Sequence, residues 1–204
     1  MTTTARRQPA ARPWSVTTRT LVYGAIGAGL MGFMNSLTYD IGIPGTEIAV
    51  RPHYGILTFF GFAFGPVVGF MTGFFGGLIG DFLSDFMTGT VSVGSALETA
   101  VGYWHWSMAN GLVGLVAGVV SFVMASRMTS TGRRALISAA TGVLAVAIGF
   151  LFIFVELVIQ PQLGFEYILR VEYIPTVIAN SIAAAIVTPI LVLAWDPIAD
   201  QLER

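Results

Sequence analysis

Cysteine is absent from the 204 residues, which excludes disulfides, thiolate metal sites and thiol nucleophiles. Lysine is absent too, so every basic residue is an arginine, and nothing in the sequence gives that bias a role. Charge of either sign is scarce. Charged residues make up 10% of the chain, whereas a soluble domain carries roughly 25%. That is too little to coat a water-facing globule. Disorder is excluded as well, because 55% of the residues are hydrophobic and the mean hydropathy is +0.79. Motifs are missing in the same informative way. No G-x-x-x-x-G-K-[ST] offers a nucleotide site, no H-E-x-x-H a zinc protease and no G-x-S-x-G a hydrolase nucleophile. No span carries arginines at three-residue spacing, as a voltage sensor would. What remains is a polytopic membrane protein, about six helices at roughly 20 residues each, with no room for a soluble catalytic domain.

The uncharged runs and the arginines between them predict the spans. The polar segment 1–18 and Arg19 precede an uncharged run at 20–39, too long for the core of a secretory signal and followed by no clear cleavage site. It reads as a first span with a cytoplasmic N-terminus. The next run, 52–80, holds eight glycines and a central Gly65-Pro66, which argues against one straight helix. Parity decides between one crossing and two. Arg127, Arg133 and Arg134 flank a later turn, which the positive-inside rule places in the cytoplasm. A chain starting inside must cross an even number of times before that turn, so 52–80 is a hairpin turning at Gly65-Pro66. The predicted fold is an all-α integral membrane protein with an outward-facing ligand pocket and both termini cytoplasmic. Its six transmembrane helices are at about 19–39, 48–64, 66–85, 107–126, 134–156 and 173–195. They form one domain over 19–196, and a cytoplasmic tail follows at 197–204.

On this topology the charges segregate. Arg6, Arg7, Arg12, Arg19, Arg127, Arg133, Arg134 and Arg204 fall inside, with Asp196, Asp200 and Glu203. Asp40, Glu47, Asp81, Asp85, Glu98, Glu156, Glu166 and Glu172 fall outside, with only Arg51 and Arg170. Acids contribute little to insertion, so the excess of outer carboxylates is not a topogenic requirement. It makes the outer face electronegative and favours neutral or cationic solutes.

The outer connections are long and rich in aromatics, so they are expected to be ordered caps. Tyr103, Trp104, His105 and Trp106 are the densest feature. They fit an interfacial aromatic belt, and equally a stacking site for a flat ligand with His105 as its hydrogen-bonding partner. Asn110, one helical turn below Trp106, and Asn180 in the last span are costly in hydrocarbon without a partner and point to ligand contact. Asn35 fits interhelical hydrogen bonding. Asp81 and Asp85 lie one turn apart but lack a third ligand at fixed spacing, so no metal site and no cofactor is expected. Asp85 reads as a solvated surface carboxylate, whereas Asp81 sits deeper and can pair with Arg51. Glu156 closes an apolar helix and either reaches the interface or points into the pocket. Gly24, Ala28 and Gly32 recur every four residues in the first span, with Ala25 and Gly29 beside them. Such a smooth face packs another helix of the same chain or a partner protein.

Several of these features together resemble a known family. Val50-Arg51-Pro52, then Phe64-Gly65-Pro66-Val67-Val68-Gly69, Gly73 and Gly80-Asp81 are similar to the second and third spans of the substrate-binding S components of energy-coupling factor (ECF) transporters. Pro175, Asn180 and Pro189 resemble the last span of that family. The small residues of the first span resemble the motif by which S components dock on a coupling protein. The resemblance covers nearly the whole chain. It implies a binding subunit in a prokaryotic plasma membrane, not an enzyme. A small vitamin-like substrate would be bound from outside under loops one, three and five. A transmembrane coupling (T) protein and two cytoplasmic ATPases would be the partners, with ATP hydrolysis on those separate subunits, and no nucleic acid is involved. Toppling in the membrane to deliver the substrate is a further implication. Substrate contacts are then expected at Arg51, Asp81, Tyr103, Trp104, His105, Trp106, Asn110, Glu156 and Asn180, and the partner interface at Gly24, Ala28 and Gly32. Aromatics with an acidic rim suggest thiamine or its pyrimidine precursor; riboflavin, biotin and a cobalamin base stay open. Two other readings are an intramembrane enzyme using His105 with Asp81, Glu98 or Glu156, and an assembly protein using the Gly/Ala face.

Overall fold

A computed structural model of the chain describes residues 13–38, 51–87 and 91–202. The predicted cytoplasmic residues Arg6, Arg7, Arg12, Glu203 and Arg204 lie outside the described residues. So do Asp40, Glu47 and the start of the predicted second span at 48–50. The described residues form helices α1 (Thr18–Thr38), α2 (His53–Phe64), α3 (Pro66–Met87), α4 (Val93–Gly102), α5 (Trp104–Met124) and α6 (Thr131–Gly149). A 3-10 segment (Phe150–Val155) continues α6 into the short α7 (Glu156–Ile159). The short α8 (Gly164–Tyr167) runs through a π-helical stretch (Ile168–Tyr173) into α9 (Ile174–Leu202). No strand occurs among the described residues.

Among the described residues, five stretches are long and apolar enough to cross a membrane: Thr18–Leu37, Pro66–Met87, Trp104–Arg127, Thr131–Ile159 and Gly164–Gln201. The described part of the predicted second span, α2, has 12 residues and rises only about 18 Å, short of a hydrocarbon core of about 30 Å. Two further expectations change. The connection before Trp106 is not a loop throughout, because Ser92 accepts a hydrogen bond from the Ser95 amide at 3.2 Å and caps α4. The segment 197–202, expected as tail, continues α9 with Pro197 inside the helix.

The hairpin turns where the sequence predicts. Gly65 has φ +100°, a conformation that side-chain-bearing residues rarely adopt, and its amide bonds to the Gly61 carbonyl at 2.9 Å. Pro66 then opens α3, where a missing amide proton costs nothing. From this turn α3 runs against α5 with backbones almost touching. A Cβ added at Gly114 would lie 2.0 Å from the Gly69 carbonyl oxygen, and one at Gly73 would lie 2.1 Å from that of Asn110. Leucine at either position would separate the helices and remove Asn110 from its place.

The other face of α3 receives α1. An added Cβ at Gly24 would meet the Met71 side chain, and one at Gly32 would meet Ile79 and the Gly76 carbonyl. Ala28 is buried on the same side. The stripe Gly24, Ala28 and Gly32, expected at a partner interface, is therefore filled by α3 of the same chain. The small residues beside it turn outward: Ala25 and Gly29 are exposed, with nothing near Gly29. Asn35 bonds across the same seam, its Nδ2 donating to Asp81 Oδ1 at 3.4 Å, so its interhelical role is as expected.

The bundle turns apolar side chains outward to lipid, and small and polar residues join large apolar ones within. On α9, Ile174, Ile178, Ile182, Ile186 and Ile190 form an exposed stripe at four-residue spacing, while Thr176, Asn180, Ala184 and Thr188 are buried. Thr188 and Thr58 of α2 bond through their hydroxyls at 2.5 Å. Charges separate by end. Arg134 pairs with Asp196 at 3.1 Å beside the Gly65 turn end, where Phe64 packs on Trp195; the carboxylates of α3, α7 and the π-helix gather at the opposite end.

Gly114→Ala is expected to lower the thermal unfolding temperature in detergent, by overpacking worth about 1–3 kcal/mol. Gly29→Ala, facing open space, is expected to leave it unchanged.

Candidate functional site

The carboxylate end encloses a cavity of about 370 Å³. α2 contributes Tyr54, with Arg51 just before it; α3 contributes Asp81 and Asp85; α4 contributes Thr99. Tyr103 and, on α5, Trp106 and Asn110 form another side. Glu156, Gln160, Leu163, Tyr167, Glu172, Thr176 and Asn180 close it from the segment joining α6 to α9. Of the residues expected at a substrate site, Arg51, Asp81, Tyr103, Trp106, Asn110, Glu156 and Asn180 meet here. Trp104 and His105 do not line the cavity. Trp104 lies at the bundle surface, edge-on to Phe152 with centroids 6.1 Å apart. Helical geometry explains the split: three consecutive residues point in three directions, so only one of Trp104, His105 and Trp106 can face the cavity squarely.

His105 has moved from ligand contact to support. It is buried, and its Nε2 lies 2.5 Å from Glu156 Oε1. A carboxylate only accepts, so Nε2 carries the proton. The Trp106 indole Nε1 donates to the same oxygen at 2.9 Å. Two donors thus fix Glu156 through Oε1. The carboxyl group of Glu172 stands within hydrogen-bonding reach of Glu156. The local winding matters for this placement. Six residues at three per turn, in place of 3.6, rotate Glu156 by roughly 120° relative to a straight continuation of α6.

Asn110 is half committed. Its Oδ1 accepts from the Tyr54 hydroxyl at 2.7 Å, which orients the amide so that Nδ2 lies on the α3 side, near Gly77. Tyr54 is itself buried against Phe150, with centroids 5.7 Å apart. Asn180 Oδ1 and Thr176 Oγ1 are buried acceptors without a partner, one helical turn apart on α9. An orphaned buried polar atom is costly, and both residues line the cavity.

Several lining residues were not anticipated. Asp85 was read as a solvated carboxylate, yet α3 turns it toward the cavity because Asp81, one turn earlier, faces the same way. Tyr54 and Thr176 carry a readable signal, since each is a polar residue at i−4 or i+4 from a residue that lines the site or the core. Glu172 and Gln160 carry none, because irregular turns place them. Four carboxylates and one guanidinium line the cavity, so its charge balance is acidic. Among the described residues, no group of three His, Cys, Asp or Glu side chains has metal-binding geometry.

Comparison with known proteins decides the family. Residues 15–196 match the family model for the ECF-type riboflavin transporter, S component. The chain belongs to that family. Its members are subunits of transporters and not enzymes, and they work with a T component and ATPases. A UPF0397 protein of Streptococcus gordonii is 28% identical over 108 residues, which covers 51% of this chain and 47% of that protein. No solved structure matches the chain.

His105→Ala strips one of two donors from a buried carboxylate and is expected to cost about 3 kcal/mol, read as a lower unfolding temperature. Tyr54→Phe, losing one neutral hydrogen bond, is expected to cost about 1 kcal/mol.

Proposed function

We propose that the chain captures a small vitamin-class heterocycle from outside the cell and delivers it through a transmembrane T protein powered by two separate cytoplasmic ATPases. The family match over residues 15–196 carries this reading. The cavity supports it, because about 370 Å³ suits a small ligand and an assembly protein needs no such space. The topology that goes with this reading has six crossings, α2 and the residues before it forming the second. The arginine-rich end lies in the cytoplasm and the cavity opens outward in a prokaryotic plasma membrane.

Asp81, Asp85, Glu156 and Glu172 against Arg51 favour a cationic or neutral ligand over an anionic one, which places thiamine or its pyrimidine precursor first. The family description favours riboflavin as a second reading. Both are flat, and both suit stacking on Trp106 and Tyr103.

Docking on the T protein falls to the exposed small residues Ala25 and Gly29, since Gly24, Ala28 and Gly32 are already covered by α3. The face around them is apolar, with Ile26, Leu30 and Phe33 exposed.

Titration of the purified chain with a vitamin panel, without ATP, is expected to quench tryptophan fluorescence for one member, through Trp106. A flat response to every member counts decisively against substrate capture. Gly29→Leu is expected to abolish copurification with the T protein while leaving that titration unchanged.

A further inference from the structure

A second cavity, of about 360 Å³, lies at the opposite end of the bundle, where α1 begins and the Gly65-Pro66 hairpin turns. Two chemistries line it. Phe62, Val67 and Phe122 make an apolar wall, and Phe122, 49% exposed, continues that wall onto the lipid-facing surface. Ser15, Arg19 and Tyr23 make a polar one. The Arg19 guanidinium lies over the Tyr23 ring, 5.3 Å from its centroid, and Tyr23 packs on Phe64 at the turn with centroids 4.4 Å apart. That stack holds the charge at the cavity edge. Thr17 and Thr20 are occupied in starting α1: the Thr20 amide donates to Thr17 Oγ1 at 3.2 Å, and the Thr20 hydroxyl donates to the Ser15 carbonyl at 3.1 Å. The Ser15 and Tyr23 hydroxyls take no part in these bonds. Among the described residues no carboxylate pairs with Arg19, whereas Arg134 at the same end is paired with Asp196.

We infer that this cavity seats the headgroup of an anionic phospholipid, with the phosphate at Arg19 and the glycerol and first acyl carbons along Phe62 and Phe122. Depth argues for a lipid. Trp14, 58% exposed, stands just before α1, and such indoles settle at the membrane–water boundary. Charge argues for an anionic one. A guanidinium presents a planar set of donors that phosphate oxygens match, and basic pockets between spans on the cytoplasmic side take anionic headgroups. On the proposed topology this end faces the cytoplasmic leaflet, whose surface is negative. The apolar wall argues against a soluble anion, which gains nothing from covering phenylalanine. No residue lines both this cavity and the one at the carboxylate end, so the inference does not rest on substrate capture.

The test uses the full-length chain in detergent micelles doped with equal amounts of phosphatidylglycerol and phosphatidylcholine of the same acyl chains, read by native mass spectrometry. One phosphatidylglycerol is expected to stay bound to each chain, about 5-fold in preference to phosphatidylcholine. Arg19→Gln is expected to abolish that preference. Arg133→Gln removes an exposed charge at the same end but outside the cavity, and is expected to leave the preference unchanged. Ala63→Leu fills the cavity while keeping Arg19, and is expected to lower phosphatidylglycerol retention. If Ala63→Leu does not fold, the two arginine variants, both at exposed positions, decide alone. No preference in the unmodified chain, or equal loss in the two arginine variants, reduces the attraction to diffuse surface charge and overturns the site. An unfolding temperature raised as much by glycerol 3-phosphate as by phosphatidylglycerol, and only with Arg19 present, reveals a seat for a free phosphate ester and overturns the lipid assignment.

Discussion

The near-contact of the α3 and α5 backbones is the constraint on which the rest of the molecule depends. Gly69 and Gly114 meet through their carbonyls, and Gly73 meets that of Asn110. In lipid, helices gain nothing from hiding apolar side chains, so close van der Waals approach must do what the hydrophobic effect does in water. That approach fixes the depth of Asn110 and, one turn away, of Trp106. Trp106 in turn helps fix Glu156 from another helix. The seam and the cavity are therefore successive consequences of the same glycine spacing.

The opposite side of the cavity is built by a different rule. There the chain departs from α geometry twice, overwound at Phe150–Val155 and underwound at Ile168–Tyr173. Each departure ends next to a carboxylate on the cavity. Such irregular turns commonly accompany function, because they aim side chains that a regular helix would point elsewhere. Regular packing supplies one wall and irregular winding supplies the polar groups of the other.

This difference explains what was legible in the sequence. The hairpin at Gly65-Pro66 was readable because glycine and proline there have one economical geometry. The charge segregation was readable because insertion leaves arginines at one end. Asn110 and Trp106 were readable from i,i+4 spacing on a regular helix. Glu172 and Gln160 were not, since no residue pattern announces a change of winding. His105 was expected at the ligand or, in the enzyme reading, beside Asp81, Glu98 or Glu156, and spacing along the chain could not choose among these; the fold brings Glu156 to it. The stripe Gly24, Ala28 and Gly32 failed for a related reason. Periodicity shows that a face is smooth but not which helix it meets, and α3 proved to be the neighbour.

One ten-residue element stands between the cavity and the surroundings. α4 turns Ala96 and Ala100 inward and Thr99 onto the cavity, while Val93, Leu97 and Val101 face out with more than half of their surface exposed. The partition is thus a single helix thick, and its outer side is chemically suited to acyl chains or detergent tails. On that side one helix alone separates the contents of the cavity from acyl chains or detergent.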